Sequence, residues 1–198
     1  MVLGARTAVN GETLGPAAVR AVYDRVGRYQ DSQRFYEDPT VDRLIAQAEM
    51  GSARAVFELG CGTGRLARRL LRDHLGGDAR YHGVDVSPVM VELAMDRLRP
   101  WAARAETVLV DGTGPLPVEA ATHDRVVATY VFDLLSPAGT AAALDELRRI
   151  VADDGLLCLA SLTPGATPAA RLVDRAWMAL WHRAPGALGG CRPISMIP

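Results

Sequence analysis

The 198-residue chain contains no lysine; all 22 of its basic residues are arginine, set against 23 acids. Schiff-base and pyridoxal chemistry need a side-chain amine, so neither runs here. The charges nearly cancel, to −1. No basic excess is left to track a phosphate backbone, so a nucleic-acid partner is not expected. Cysteine is scarce: Cys61, Cys158 and Cys191 are scattered and form no C-x-x-C pair. That argues against a disulfide framework and against a zinc or other metal centre, and it fits a reducing, cytoplasmic setting. Long apolar runs are missing as well. The longest, 126–132 and 156–162, have the length of strands, short of the ~18 residues of a membrane-spanning helix. The first sixteen residues are mixed and glycine-rich, and no secretory leader is read in them.

What the chain does have is ordinary for a single globular unit, with 49% hydrophobic and 23% charged residues. Its most informative stretch is Val56-Phe57-Glu58-Leu59-Gly60-Cys61-Gly62-Thr63-Gly64-Arg65. It reads as a buried strand, an acid at the strand's end, a tight glycine loop and a helix. Glycines let backbone N–H groups approach a ligand without Cβ interference, and the helix turns its positive end toward the same spot. Such a loop suits a nucleotide-like or carboxylate-bearing ligand. The dinucleotide spacing G-x-G-x-x-G fails, because its third glycine falls on Arg65.

One strand later, Tyr81-His82-Gly83-Val84-Asp85-Val86-Ser87-Pro88 ends in an acid followed by a helix start. Ser87 is a good N-cap and Pro88 suits the first turn. Val91, Ala94, Met95 and Leu98 then recur at helical spacing and predict a buried face. Asp85 lies about 20 residues past the loop, where a carboxylate can accept from both ribose hydroxyls. Further on come Thr107-Val108-Leu109-Val110-Asp111-Gly112, then the strand Asp124–Phe132, then a helix bearing Leu144, Leu147, Ile150 and Val151. Asp153-Asp154-Gly155 and the strand 156–162 close the series. Strands alternating with helices imply an α/β fold with a mainly parallel sheet and helices on both faces. Ligands in such sheets sit beyond the carboxyl ends of the strands, so Glu58, Asp85, Asp111 and Tyr130 should converge on one crevice.

These segments, in this order and with the spacing E-x-G-x-G-x-G at 58–64, resemble the class I S-adenosylmethionine (SAM) dependent methyltransferases. The resemblance implies a Rossmann-like, doubly wound sheet, SAM as cofactor and methyl transfer as activity. It places cofactor contacts at Glu58, Gly60, Cys61, Gly62, Gly64, Asp85, Val86, Asp111, Gly112 and Thr129. Glu58 would meet the SAM ammonium, Asp85 the ribose, and Asp111 with Gly112 the adenine. Tyr130 would stand beside the methyl or the acceptor, with Asp133 and His182 as weaker base candidates. The stretch Tyr29–Tyr36 resembles the N-terminal cap of the ubiquinone/menaquinone-type enzymes, and its aromatic face, Tyr29 included, suits a sulfonium. Residues 1–50 are read as a loose tail and helical cap, and 51–198 as the SAM-binding domain.

The amino-methylating motif Asn/Asp-Pro-Pro-Tyr/Phe is replaced by Ala128-Thr129-Tyr130-Val131-Phe132, and no Pro-Cys nucleophile occurs. A small-molecule or lipid-like acceptor is therefore expected. After a helix at 169–183 the family's antiparallel strand pair is missing. The strand 156–162 would then be an unprotected edge open to a second copy of the chain. Two alternatives stay open: an NAD(P)-dependent oxidoreductase on a related sheet, and a truncated, non-catalytic SAM-binding module acting through a partner.

Overall fold

The computed structural model describes residues 13–184 and 190–194, with backbone alone at 33–36. Helix α1 (Pro16–Val26) leads through a 3₁₀ segment, Gly27–Gln33, into α2 (Arg34–Gln47). Strand β1 (Ala55–Leu59), α3 (Arg65–Asp73), β2 (Arg80–Asp85), α4 (Pro88–Leu98) and β3 (Ala105–Leu109) follow. Then come β4 (His123–Thr129), α5 (Pro137–Ile150), β5 (Val151–Ala160) and α6 (Pro168–Arg183). The five strands form one sheet in the order β3-β2-β1-β4-β5, parallel at every pairing.

Register assigns the faces. Glu58 lies opposite Gly83 and Val127, and Val127 opposite Cys158. That face carries Val56, Tyr81 and Val127 onto Leu70 and Leu71 of α3, Ile45 of α2 and Leu98 of α4. The other face carries Phe57, Val84, Val126 and Ala128 onto Leu147 and Ile150 of α5. A buried guanidinium joins α2 to the sheet. Arg125 Nε donates to Ala48 O at 2.6 Å and its Nη2 to Glu49 O at 3.3 Å, which satisfies carbonyls left open just past the end of α2.

The alternation expected from the sequence breaks once: β3 and β4 are joined by a loop, 110–122, with no helix. Gly112, Gly114, Pro115 and Pro117 explain why, since glycine and proline both disfavour helix interiors. Arg149 of α5 holds this loop, donating to Val118 O at 2.7 Å and Leu116 O at 3.3 Å. Glu146 accepts from Arg149 at 2.7 Å and from the Leu116 N–H at 2.8 Å. The Asp153-Asp154-Gly155 turn sits inside β5 as a register irregularity, with His123 facing Val151 but Arg125 facing Leu156.

Two helix faces also differ from expectation. Met90 replaces Met95 on the buried side of α4, and Met95 is 59% exposed. Helix α6 packs through Trp177 and Trp181, whose indole N–H groups donate to Cys191 O and Gly190 O at 3.0 Å; Leu172 and Leu180 face outward. Strand β5 is an edge, as the sequence implies, and the Ile194 N–H donates to Leu162 O just beyond it, at 2.8 Å. The loose tail expected at the start of residues 1–50 falls mostly outside the described residues. Its described end is not loose, because Leu14 packs with Val19, Leu134 and Cys191. Residues 195–198 likewise lie outside them. No helix among the described residues is long and apolar enough to cross a membrane.

Two imidazoles are packed against Phe57 at the end of the sheet opposite the strand tips. His82 and His123 stand edge-on to its ring at 5.6 and 5.7 Å. Burial pushes the His82 imidazole down and His123 down to about 4. A folded-state value below the unfolded one means that stability is full above about 6.5 and falls as pH drops toward 4. Comparing urea midpoints at pH 7 and pH 5 checks this. His123→Phe should gain on the wild type by about 1 kcal/mol over that interval, after discounting for the half-exposed ring.

Candidate functional site

Beyond the carboxyl ends of β1, β2 and β4 the chain encloses a cavity of about 870 Å³. That volume lies in the range of small-molecule sites, and a crevice at strand ends is where open α/β sheets bind ligands. Among the residues assigned from the sequence, Glu58, Gly60, Cys61, Gly62, Asp85, Val86, Asp111, Gly112, Thr129 and Tyr130 line it.

The glycine loop works differently from a nest of free amides. Gly60, Gly62 and Gly64 have φ of 71°, 51° and 72°, conformations that side chains rarely adopt. The N–H groups of Gly60 and Cys61 both donate to Val84 O, at 2.8 and 3.0 Å. Gly62 N–H donates to Asp85 Oδ2 at 2.9 Å, and Gly64 N–H to Cys61 O at 2.9 Å. The loop thus spends these amides on its own shape. It offers a ligand a bare Cα surface at Gly62, where a Cβ would meet nothing within 4 Å.

Asp85 holds two segments together. One carboxylate oxygen takes the Gly62 amide and the other the Ser87 amide, each at 2.9 Å. Ser87 caps α4 by accepting from Met90 N–H at 3.1 Å and donates to Asp24 of α1 at 2.6 Å. Burial raises the Asp85 carboxyl while these amides pull it back. Glu58 is 2% exposed, and burial pushes its carboxyl up to about 8, although the Tyr81 hydroxyl donates to it at 2.6 Å. Gly83 makes room for that hydroxyl, since a Cβ there would lie 2.6 Å from it. Asp111 is exposed and accepts from Thr113 N–H at 2.8 Å, which holds its carboxyl below the usual range. Tyr130 has a positive φ of 57°. For a bulky side chain that conformation costs on the order of 1–3 kcal/mol and concentrates at functional sites. Its side chain is hydrogen-bonded to Thr40 of α2.

Four of the residues named from the sequence stand outside the cavity lining. Gly64 does not line the cavity. A Cβ there would meet Ala94 at 3.0 Å, so this glycine lets α3 pack on α4. Tyr29 is 78% exposed on the 3₁₀ segment, while its neighbours Gln30 and Asp31 turn into the cavity. Asp133 is fully buried away from the cavity. It accepts the Leu162 N–H at 3.1 Å, and burial lifts its carboxyl to about 6. His182 is exposed, edge-on to Trp181.

The cap contributes side chains that sequence spacing does not connect. Asp31 accepts from Thr63 Oγ1 at 2.6 Å and from Arg97 Nη2 at 2.7 Å. Arg65 bridges Glu37, at 3.0 Å, and Asp38. Among the described residues, seven acids and one base, Arg65, line the cavity. Among the described residues no group of three or more His, Cys, Asp or Glu could hold a metal.

Comparison with known proteins agrees with this arrangement. The methyltransferase-domain family is matched over residues 56–155. Malonyl-[acyl-carrier protein] O-methyltransferase of Halorhodospira halophila is 28% identical over 157 residues, 78% of this chain and 51% of that protein. The tRNA N(3)-methylcytidine methyltransferase Mettl2 of Drosophila melanogaster is 28% identical over 126 residues, 62% of this chain and 39% of that protein. An O-methyltransferase family protein from Burkholderia thailandensis superposes with a TM-score of 0.66 at 17% identity, covering 90% of this chain and 51% of that one. That likeness is one of fold. The chain spans about half the length, or less, of these relatives. They are methyltransferases by name, and the oxidoreductase alternative finds no support among them. The glycine loop, the acids at the tips of β1 and β2 and a family match over half the sequence lead to one conclusion: the chain belongs to the class I SAM-dependent methyltransferases.

Proposed function

We propose that the cavity binds SAM and that the chain transfers its methyl group to a small, largely apolar acceptor. When bound, SAM supplies a methyl on a positively charged sulfur. The residues present fit that group. Glu58 would meet the ammonium, Asp85 would use the lone pairs left after taking two amides for the ribose hydroxyls, and Asp111 with Gly112 would meet the adenine. Bare Cα surface at Gly62 leaves room for close approach.

The rest of the work is orientation and exclusion of water, which can supply much of the rate. Leu14, Val19, Tyr23 and Leu134 form an apolar wall on the cap side of the cavity, and Tyr130 sits at the junction between cap and strand tips. The observation that carries the reading is the convergence of Glu58, Asp85, Asp111 and Tyr130 on one 870 Å³ cavity.

The relatives are named for a protein-bound acyl group and for tRNA, so likeness alone does not select the acceptor. A chain of net charge −1 with an acid-lined cavity favours a small molecule over a polyanion. The test is incubation with methyl-labelled SAM and a cell extract, split afterwards into solvent-extractable, protein and RNA fractions. Label should enter the solvent-extractable fraction; label confined to RNA would contradict the proposal.

A further inference from the structure

We infer that the cap end of the cavity selects an amine as methyl acceptor, with Glu37 as the carboxylate that recognises it. This rests on the methyltransferase reading above and deepens it. Glu37, in the first turn of α2, lines the cavity yet is only 8% exposed. Around it three carboxylates, Asp31, Glu37 and Asp38, face two guanidinium groups, Arg65 and Arg97.

Each guanidinium is already engaged. Arg65 spans Glu37 and Asp38, and Arg97 spans Asp31 and Thr63. An acceptor carboxylate or phosphate would have to break one of these pairs to find a cation, and it would meet the remaining carboxylates at short range. A protonated amine meets the opposite situation, one negative charge in excess; before reaction it gives one N–H proton to the Glu37 carboxylate or to solvent, and the freed lone pair takes the methyl as SAH leaves. Burial pushes the Glu37 carboxyl up while the Arg65 charge opposes it. Such a desolvated carboxylate gains from a second cation. Tyr130 and Tyr23 also line the cavity, and aromatic rings attract cations through their faces.

The test uses matched probes on the chain saturated with S-adenosylhomocysteine (SAH): n-hexylamine and hexanoate, titrated by ligand-observed NMR. The amine should bind at least tenfold more tightly than the carboxylate. Glu37→Gln keeps an acceptor for Arg65 and should weaken the amine about tenfold while leaving the SAH Kd within twofold. Equal or tighter binding of hexanoate, no binding of the amine, or an unchanged amine affinity in Glu37→Gln would overturn the inference. The comparison of amine with carboxylate on the wild type decides the matter even if the variant fails to fold. Loss of SAH binding by the wild type would overturn the underlying reading instead, so the two failures are told apart.

Discussion

Asp85→Ala is expected to weaken SAH binding by at least a hundredfold. Asp85 does more than face a ligand. Its two oxygens fix the Gly62 and Ser87 amides at 2.9 Å, so one side chain shapes both the glycine loop and the start of α4. Hydrogen bonds to a charged group are worth roughly 1.5–3 kcal/mol each. Removing both, together with the proposed ribose contact, leaves two donors without their acceptor and costs about 3 kcal/mol or more of affinity, which is a hundredfold. Asp85→Asn keeps one acceptor oxygen and should fall between the two. Calorimetry on variants whose circular dichroism matches the wild type checks this; a loss smaller than threefold would show that Asp85 is not part of the site.

Glu58→Gln should do two opposite things. The folded-state value of the Glu58 carboxyl, about 8, lies above its ordinary 4.5. Its contribution to stability is therefore full below about 4.5 and is lost as pH rises through about 8. At pH 9 the empty wild-type chain carries a buried, desolvated charge that the amide does not. There Glu58→Gln should be more stable by roughly 2–4 kcal/mol, with little difference near pH 4.5. Binding should run the other way. Meeting the ligand's ammonium requires the ionised carboxylate, so wild-type affinity for SAH should rise from pH 6 to pH 8 by up to about tenfold per unit. In Glu58→Gln it should be weaker and flat. Denaturation midpoints and calorimetric titrations across that range test both halves. A wild-type affinity that is flat from pH 6 to pH 8 would sever Glu58 from the ammonium.

How much of this was legible in advance depends on sequence separation. The glycine loop, the Ser87-Pro88 helix start and the acids at strand ends are local patterns. Glycine spacing and capping chemistry act within a few residues, and the strands and helices follow from them. Roles within those patterns were harder to read. Gly64 belongs to the loop motif, yet its missing Cβ serves the contact with Ala94, thirty residues later in the chain. Asp133 follows a strand tip as a catalytic acid would, but it is buried and stitches Leu162 in place. Helix α6 shows why helical spacing alone misleads. Its aliphatic stripe faces outward, and its indole N–H groups find carbonyls at 190 and 191.

The cap network was invisible for another reason. Asp31 is 32 residues from Thr63 and 66 from Arg97, and a single acid in a polar stretch carries no periodic signal. Aromatic character favours Tyr29 instead, and Arg65 shows in the sequence only as the residue that breaks the dinucleotide spacing; its ion pairs to Glu37 and Asp38 exist only once α2 is laid across the start of α3.

Whether this cavity holds SAM is tested most directly by a calorimetric titration of the purified chain with SAH, with NADH run in parallel. The expected result is one-to-one binding of SAH in the micromolar range and no heat from NADH. Absence of SAH binding by a chain with intact secondary structure, or NADH binding of similar strength, would contradict the account.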